Sequence, residues 1–290
     1  MNTFLQNDRI RVGVKPLGAE LFSLQDIHSG KEYMWKADPA FWGKTSPVLF
    51  PIVGTLRNDK YKYGGKEYSL PRHGFAREMP FELGSATDTS ATFVLKSSEK
   101  TLAKYPFKFR LDISYALEGA ALIVTYHVYN EAETDMYFSL GAHPAFAVPL
   151  ADGLHYEDYY LQFNHRETAP RWRIDGAGLI EPVATPCLDD SDRLNLRKEL
   201  FYKDAIVLKH LSSTLISLRH KTDAHGLEFR YEDFPYMGIW AAKDADFLCI
   251  EPWCGIADSV SHNYDLITKE GIEKLAPKTT WTRRWSVTVF

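Results

Sequence analysis

Cysteine is scarce in this 290-residue chain, which carries only Cys187, Cys249 and Cys254. A small odd number makes a poor disulfide framework and fits a reducing compartment, so the expected location is the cytoplasm. Cys249 and Cys254 flank IEPW, but the spacing is not CxxC and no second pair exists, so no metal site is expected. Charge of one sign is also lacking. The balance is 34 basic against 38 acidic residues, net -4, without any Lys/Arg-rich run, which argues against a nucleic-acid partner. No apolar run has the length of a membrane span: the least polar stretch, Met136 to Ala151, is short and contains His143, Pro144 and Pro149. The opening MNTFLQNDRIRVGV reaches charge by position 8 and has no apolar core of signal-peptide length. GxSxG, GxGxxG, P-loop and HExxH patterns are absent, leaving serine hydrolysis, glycine-loop nucleotide binding and zinc-protease chemistry without support. Helical periodicity is short as well. Ser97–Tyr105, with Ser98 as its cap, and Lys269–Leu275 each read as one short turn.

Aromatic residues, in contrast, make up 14% of the chain, with Phe 17, Tyr 16 and Trp 7. That richness favours β structure and flat apolar surfaces able to grip a ligand. Period-two alternation is clearest at Phe107, Phe109, Leu111, Ile113, Tyr115 and Leu117, followed by Glu118-Gly119 and a second run from Leu122 to Tyr129. Two alternating runs about a Gly turn predict an antiparallel hairpin. A smaller hairpin is expected at Tyr61–Tyr68 around Gly64-Gly65. Further strands are expected at 91–96, 205–209, 214–219, 227–231, 237–241, 247–250 and 281–290. Thr168 to Arg197, with scattered Gly, Pro and Asp, reads as a long excursion, and excursions of that length are often functional. No repeat or low-complexity linker divides the chain, so residues 1–290 are expected to form one all-β domain, a large antiparallel β-sandwich.

Most of the ten histidines have ordinary surroundings. His28, His155, His165, His210, His220, His225 and His262 read as surface residues. His73, in PRHGFAR, and His143, in LGAHPAF, differ: small and aromatic neighbours make them pocket candidates. Glu251 follows the apolar strand FLCI and precedes Pro252-Trp253. A carboxylate there is expected to be desolvated, with its pKa raised toward the range of a general base. The competing reading is a strand-end Glu in a salt bridge. Arg57, in GTLRNDKY, is a donor to an oxygen-rich ligand or a solvated loop arginine. Asp204, just before AIVL, is otherwise a strand-start surface Asp. Together these residues point to metal-free acid/base work in an aromatic-lined β-sandwich.

In order along the chain, SPVLFPIVGTLRNDKY, PRHGFAR, GAHPAF and FLCIEPWCGIADS resemble the aldose 1-epimerase (galactose mutarotase-like) family. GAELFSLQDIHSGKEYMW resembles its N-terminal hairpin, so the likeness runs from about Lys15 to the C-terminus. Within the family the chain most resembles the LacX-like bacterial branch. The resemblance implies a galactose mutarotase-like supersandwich with a shallow, open sugar cleft and no cofactor. It implies Glu251 as catalytic base, His143 as catalytic acid, and His73, Arg57 and Asp204 as substrate-binding residues. The two proton carriers are expected on opposite edges of the sugar, with Trp42, Phe75, Phe146 and Trp253 as stacking candidates. HGFAR stands where galactose mutarotases have a glycine-rich HGG segment, which takes galactose preference out of what the resemblance implies. Two alternatives stand beside a free-aldose epimerase. One is a hexose-6-phosphate epimerase, because HGFAR occurs in that branch; against it, a GGIPxCWPxFG-like segment is missing, and Arg72 and Arg77 are expected to be structural or solvated. The other is a sugar-binding sensor that has lost catalysis. The expected partner is a small-molecule sugar. Exposed edge strands leave the oligomeric state open.

Overall fold

The computed structural model describes residues 1–290. Its largest sheet has fourteen strands. From one end, the order begins Leu140–Gly141, Phe247–Cys254, Tyr236–Trp240, Ile206–Lys209, Tyr159–Ile174 and Leu215–His220. It continues through Leu227–Arg230, Thr280–Val289, Ala121–Asn130, Phe109–Glu118 and Ser90–Lys96 to Glu82–Ala86; two strands lie off this path, Ala145–Ala147 pairing with Phe247–Cys254 and Ile180–Asn195 with Tyr159–Ile174. Every pairing is antiparallel. The expected hairpin is the pair Phe109–Glu118 and Ala121–Asn130, turning at Gly119 with φ 55°. Its Phe109, Leu111, Ile113, Tyr115 and Leu117 are buried on one face, as period two requires. The smaller hairpin forms at Lys60–Tyr63 and Lys66–Ser69, and the N-terminus adds a three-stranded sheet, Thr3–Gln6, Ile10–Lys15 and Glu20–Asp26. The protein is a large antiparallel β-sandwich. A core of 73 buried residues draws on both ends of the sheet and on the N-terminal strands. Each fully buried Phe, Leu, Ile or Val contributes about 1.5–3 kcal/mol relative to exposure.

Two expectations are refined by the helical segments. Ser98 caps the short helix Glu99–Leu102, accepting from Thr101 N–H in a capping box. Lys269–Leu275 does not coil. Glu273–Leu275 instead joins the ladder of Met136–Phe138, and Lys269 is anchored inside, its ammonium 3.0 Å from Asp258. Backbone pairing and a buried ion pair outweigh the weak propensity of one isolated turn. The excursion 168–197 is also ordered. It forms most of a hairpin whose arms, Tyr159–Ile174 and Ile180–Asn195, are 16 residues each, with several register shifts along their pairing. No helix is long and apolar enough to cross a membrane.

Candidate active site

Strand register brings two of the singled-out residues face to face. Across Phe247–Cys254, Gly141 pairs with Trp253 and Ala145 with Cys249. Counting two residues inward from either pair sets His143 opposite Glu251. Adjacent backbone bonds hold the alignment: Ala142 N–H donates to Pro252 O at 3.1 Å, and Ile250 N–H to Pro144 O at 3.3 Å. His143 Nε2 lies 3.2 Å from Glu251 Oε2, and both residues are buried. The expected strand end at Ile250 is not observed. The strand runs on to Cys254, so Glu251 sits within it, paired with Gly238. Gly141 and Gly238 clear space for Trp253: a Cβ on either would fall 2.6 or 2.4 Å from the indole.

PRHGFAR reverses sharply. His73 and Gly74 have φ of 67° and 71°, and a Cβ on Gly74 would meet Phe50 O at 2.3 Å, so glycine alone fits there. The reversal delivers Arg72, His73 and Arg77 to the cleft over Glu251 and His143, which encloses about 290 Å³. Gly54 N–H donates to His73 Nδ1 at 3.1 Å. Arg72 Nε donates to His73 Nε2 at 3.3 Å, so both ring nitrogens face donors. Arg72 forks onto Asp204 with two contacts of 3.2 Å, while Asp204 Oδ1 also accepts Ala205 N–H at 2.7 Å. Arg77 Nη2 donates to Arg72 O at 2.8 Å, and its buried Nε has no partner.

Burial controls the electrostatics. It raises the Glu251 carboxyl well above its ordinary range; nearby Arg72 opposes the shift and Asp204 adds to it. Burial lowers the His143 imidazole to about 3, with Arg72 and Arg77 acting in the same direction. The pair therefore keeps one proton across neutral pH, and both directions favour its residence on the carboxyl. His73 is held neutral by burial and by the neighbouring His143, Arg72 and Arg77.

Of the five singled-out residues, His73, His143, Asp204 and Glu251 line the cleft. Arg57 lies elsewhere: Nη1 donates to His262 O at 2.9 Å, and the guanidinium covers Tyr264 at 5.1 Å. The cleft arginines are Arg72 and Arg77, expected to be structural or solvated. Their signal in the sequence is their position on either side of the His-Gly reversal. His143 and Glu251 are neighbours, which replaces the expected placement on opposite edges. Among the aromatics, Trp42 stacks on His143 with centroids 4.9 Å apart, and Trp253 and the unanticipated Trp240 also line the cleft. Phe75 and Phe146 are core residues. His220, expected at the surface, is buried against Tyr159, and His262 Nδ1 lies 3.1 Å from Asp258 Oδ2. His143, Cys249 and Glu251 offer buried donor atoms within 4.8 Å of one another. Burial pushes the Cys249 thiol well above its ordinary value.

The aldose 1-epimerase family model matches residues 3–265. The chain belongs to the aldose 1-epimerase family. It is 35% identical to the plasmid LacX protein of Lactococcus lactis subsp. lactis, over 100% of this chain and 99% of that one. Among solved structures, a galactose mutarotase related enzyme from Lactobacillus acidophilus superposes with a TM-score of 0.94 at 35% identity, covering 100% of this chain and 97% of that one. A galactose mutarotase-like protein from Lactobacillus casei has a TM-score of 0.94 at 29% identity, with 100% of both chains covered. This aldose 1-epimerase family member thus has the galactose mutarotase-like fold that its motifs imply, and the family implies a small sugar as substrate.

Proposed function

We propose that the protein is a mutarotase acting on a free aldose, interconverting its α and β anomers by acid/base ring opening, and that residues 1–290 work as one domain. The observation that carries this reading is the buried Glu251–His143 pair at the base of a cleft with tryptophan walls. Ring opening of a hemiacetal takes a proton from the C1 hydroxyl and gives one to the ring oxygen. Both oxygens are bonded to C1, so acid and base must stand side by side, as these two do at 3.2 Å. Passing the pair's proton from Glu251 to His143 presents a carboxylate to the hydroxyl and an imidazolium N–H to the ring oxygen. Rotation about C1–C2 and reversal of both transfers close the ring on the other face. Each positioned transfer contributes about 10²–10⁴-fold. His73 and the Arg72–Asp204 pair supply polar groups for the sugar hydroxyls. Trp42, Trp240 and Trp253 supply apolar faces. Three free thiols support the cytoplasm as the compartment.

Charge in the cleft favours a neutral sugar. Asp204 neutralises Arg72, His73 is neutral, and the remaining cation, Arg77, lies 3.9 Å from the Glu78 carboxylate. The presence of Arg77 there supports a second reading, a sugar 6-phosphate, with its unpartnered Nε as a phosphate donor. NMR exchange measurements of anomer interconversion over a panel of aldoses and their 6-phosphates test both readings. The expected result is acceleration of at least one free aldose. Acceleration of phosphates alone would shift the assignment, and sugar binding without any acceleration would make the protein a sensor.

A further inference from the structure

A buried ion pair outside the cleft takes no part in the proton transfers. The side chains of Lys269 and Asp258 are fully enclosed, with the ammonium 3.0 Å from Asp258 Oδ1. Lys269 Nζ also donates to Ile256 O. Burial lowers the Lys269 ammonium and Asp258 opposes that shift. Neither charge is tolerated inside without the other, so the pair is a fixed point of the fold. What it fixes is the segment that follows the Glu251 strand.

From Asp258 a run of contacts leads to the cleft. Asp258 Oδ2 accepts Arg57 N–H at 2.9 Å, with His262 Nδ1 beside it at 3.1 Å. Asp258 N–H donates to Thr55 O at 2.9 Å, and Gly54 lies against Ala257 so closely that a Cβ on it would fall 2.5 Å from the alanine Cβ. Residues 54–57 are thus tied to 257–258. Gly54 in turn holds His73 twice: its carbonyl accepts His73 N–H at 2.8 Å, and its N–H donates to Nδ1 at 3.1 Å. His73 lines the cleft at φ 67°, a left-handed conformation that a residue with a side chain keeps only where its surroundings fix it. Glu251 needs no such anchor. Its strand is paired with Tyr236–Trp240 on one side and with Leu140–Gly141 and Ala145–Ala147 on the other.

We propose that Lys269 and Asp258 are positioning residues for sugar binding, holding His73 in its left-handed conformation at the cleft through Gly54. The sugar-binding role of His73 rests on the mutarotase reading; the link from Lys269 to His73 does not. The test compares wild type, Lys269→Met, His73→Ala and the two substitutions combined, each checked for native near-ultraviolet circular dichroism. In NMR anomer-exchange kinetics with the best free aldose, Lys269→Met is expected to raise KM roughly tenfold (about 1.4 kcal/mol). Because Glu251 and His143 stay in register, kcat is expected to be unchanged, the mark of lost binding and not of lost chemistry. In the His73→Ala background the same substitution is expected to add nothing to KM, since both act through one side chain. In the sugar-free protein, the imidazole nitrogen resonances of His73 are expected to move in Lys269→Met while those of His143 stay in place. If Lys269→Met does not fold, Asp258→Asn/Lys269→Met, which leaves no unpaired buried charge, goes through the same comparisons with the same expected directions. The proposal is overturned if the folded variant leaves KM unchanged, if it lowers kcat at constant KM, if its effect on KM is the same without His73, or if the His73 resonances do not move. Should no aldose undergo accelerated exchange, the mutarotase reading falls, and the His73 resonances alone decide the link.

Discussion

Arg77 reaches the cleft because the chain reverses at His73-Gly74, and it stays there because its Nη2 binds the carbonyl of Arg72. A single guanidinium, itself 3.9 Å from the Glu78 carboxylate, is a weak clamp for a dianion, which calls for paired, charge-assisted donors. Arg77→Ala is therefore expected to change KM for a free aldose and its 6-phosphate by similar factors, measured by coupled anomer-exchange assays. A loss with the phosphate roughly tenfold greater than with the free sugar (about 1.4 kcal/mol) would assign Arg77 to phosphate recognition. The contrast with Arg57 shows what sequence can carry. His73 and His143 stand out among small and aromatic neighbours, and Glu251 follows an apolar run; these are local signals of a pocket. What holds Arg57 away from the cleft is a carbonyl 205 positions downstream and the ring of Tyr264. Nothing near Arg57 in the chain announces either contact.

At the scale of elements, the strand Phe247–Cys254 and its neighbours set the spacing of the site. Gly238, opposite Glu251, leaves room for the Trp253 ring, and no side chain fits that gap. Gly238→Val is expected to push the indole toward the cleft, at about 1–3 kcal/mol for overpacking. Urea denaturation should show that loss alongside a fall in turnover, and unchanged values of both would mean the indole is not confined. The half-buried strands were legible because alternation exposes one face, as in Phe109–Glu118. Two elements were less so. The arms from Tyr159 to Asn195 pair through several register shifts, which blur the period of two. Glu273–Leu275 takes its conformation from Met136–Phe138, a partner far away in the chain.

For the whole molecule, the buried pair leaves a signature in stability. The folded pair keeps one proton, because burial raises Glu251 well above 4.5 and lowers His143 from 6.5 to about 3. Unfolded, the same two groups hold two protons below 4.5, one between 4.5 and 6.5, and none above 6.5. Stability rises with pH where the unfolded chain binds more protons and falls where it binds fewer. The pair's contribution should thus rise up to pH 4.5, stay level to 6.5, and decline above it. Each limb has a slope of about 1.4 kcal/mol per pH unit. The difference between wild type and Glu251→Gln/His143→Asn, from denaturation midpoints across pH, isolates it; a difference independent of pH would contradict the retained proton. The strand order sets His143 opposite Glu251. The most direct measurement is NMR exchange of the two anomers of the best free aldose in Glu251→Gln and in His143→Asn, each checked for native near-ultraviolet circular dichroism. The account predicts that both variants fall nearly to the uncatalysed rate with the fold intact. Wild-type turnover in either one would contradict it.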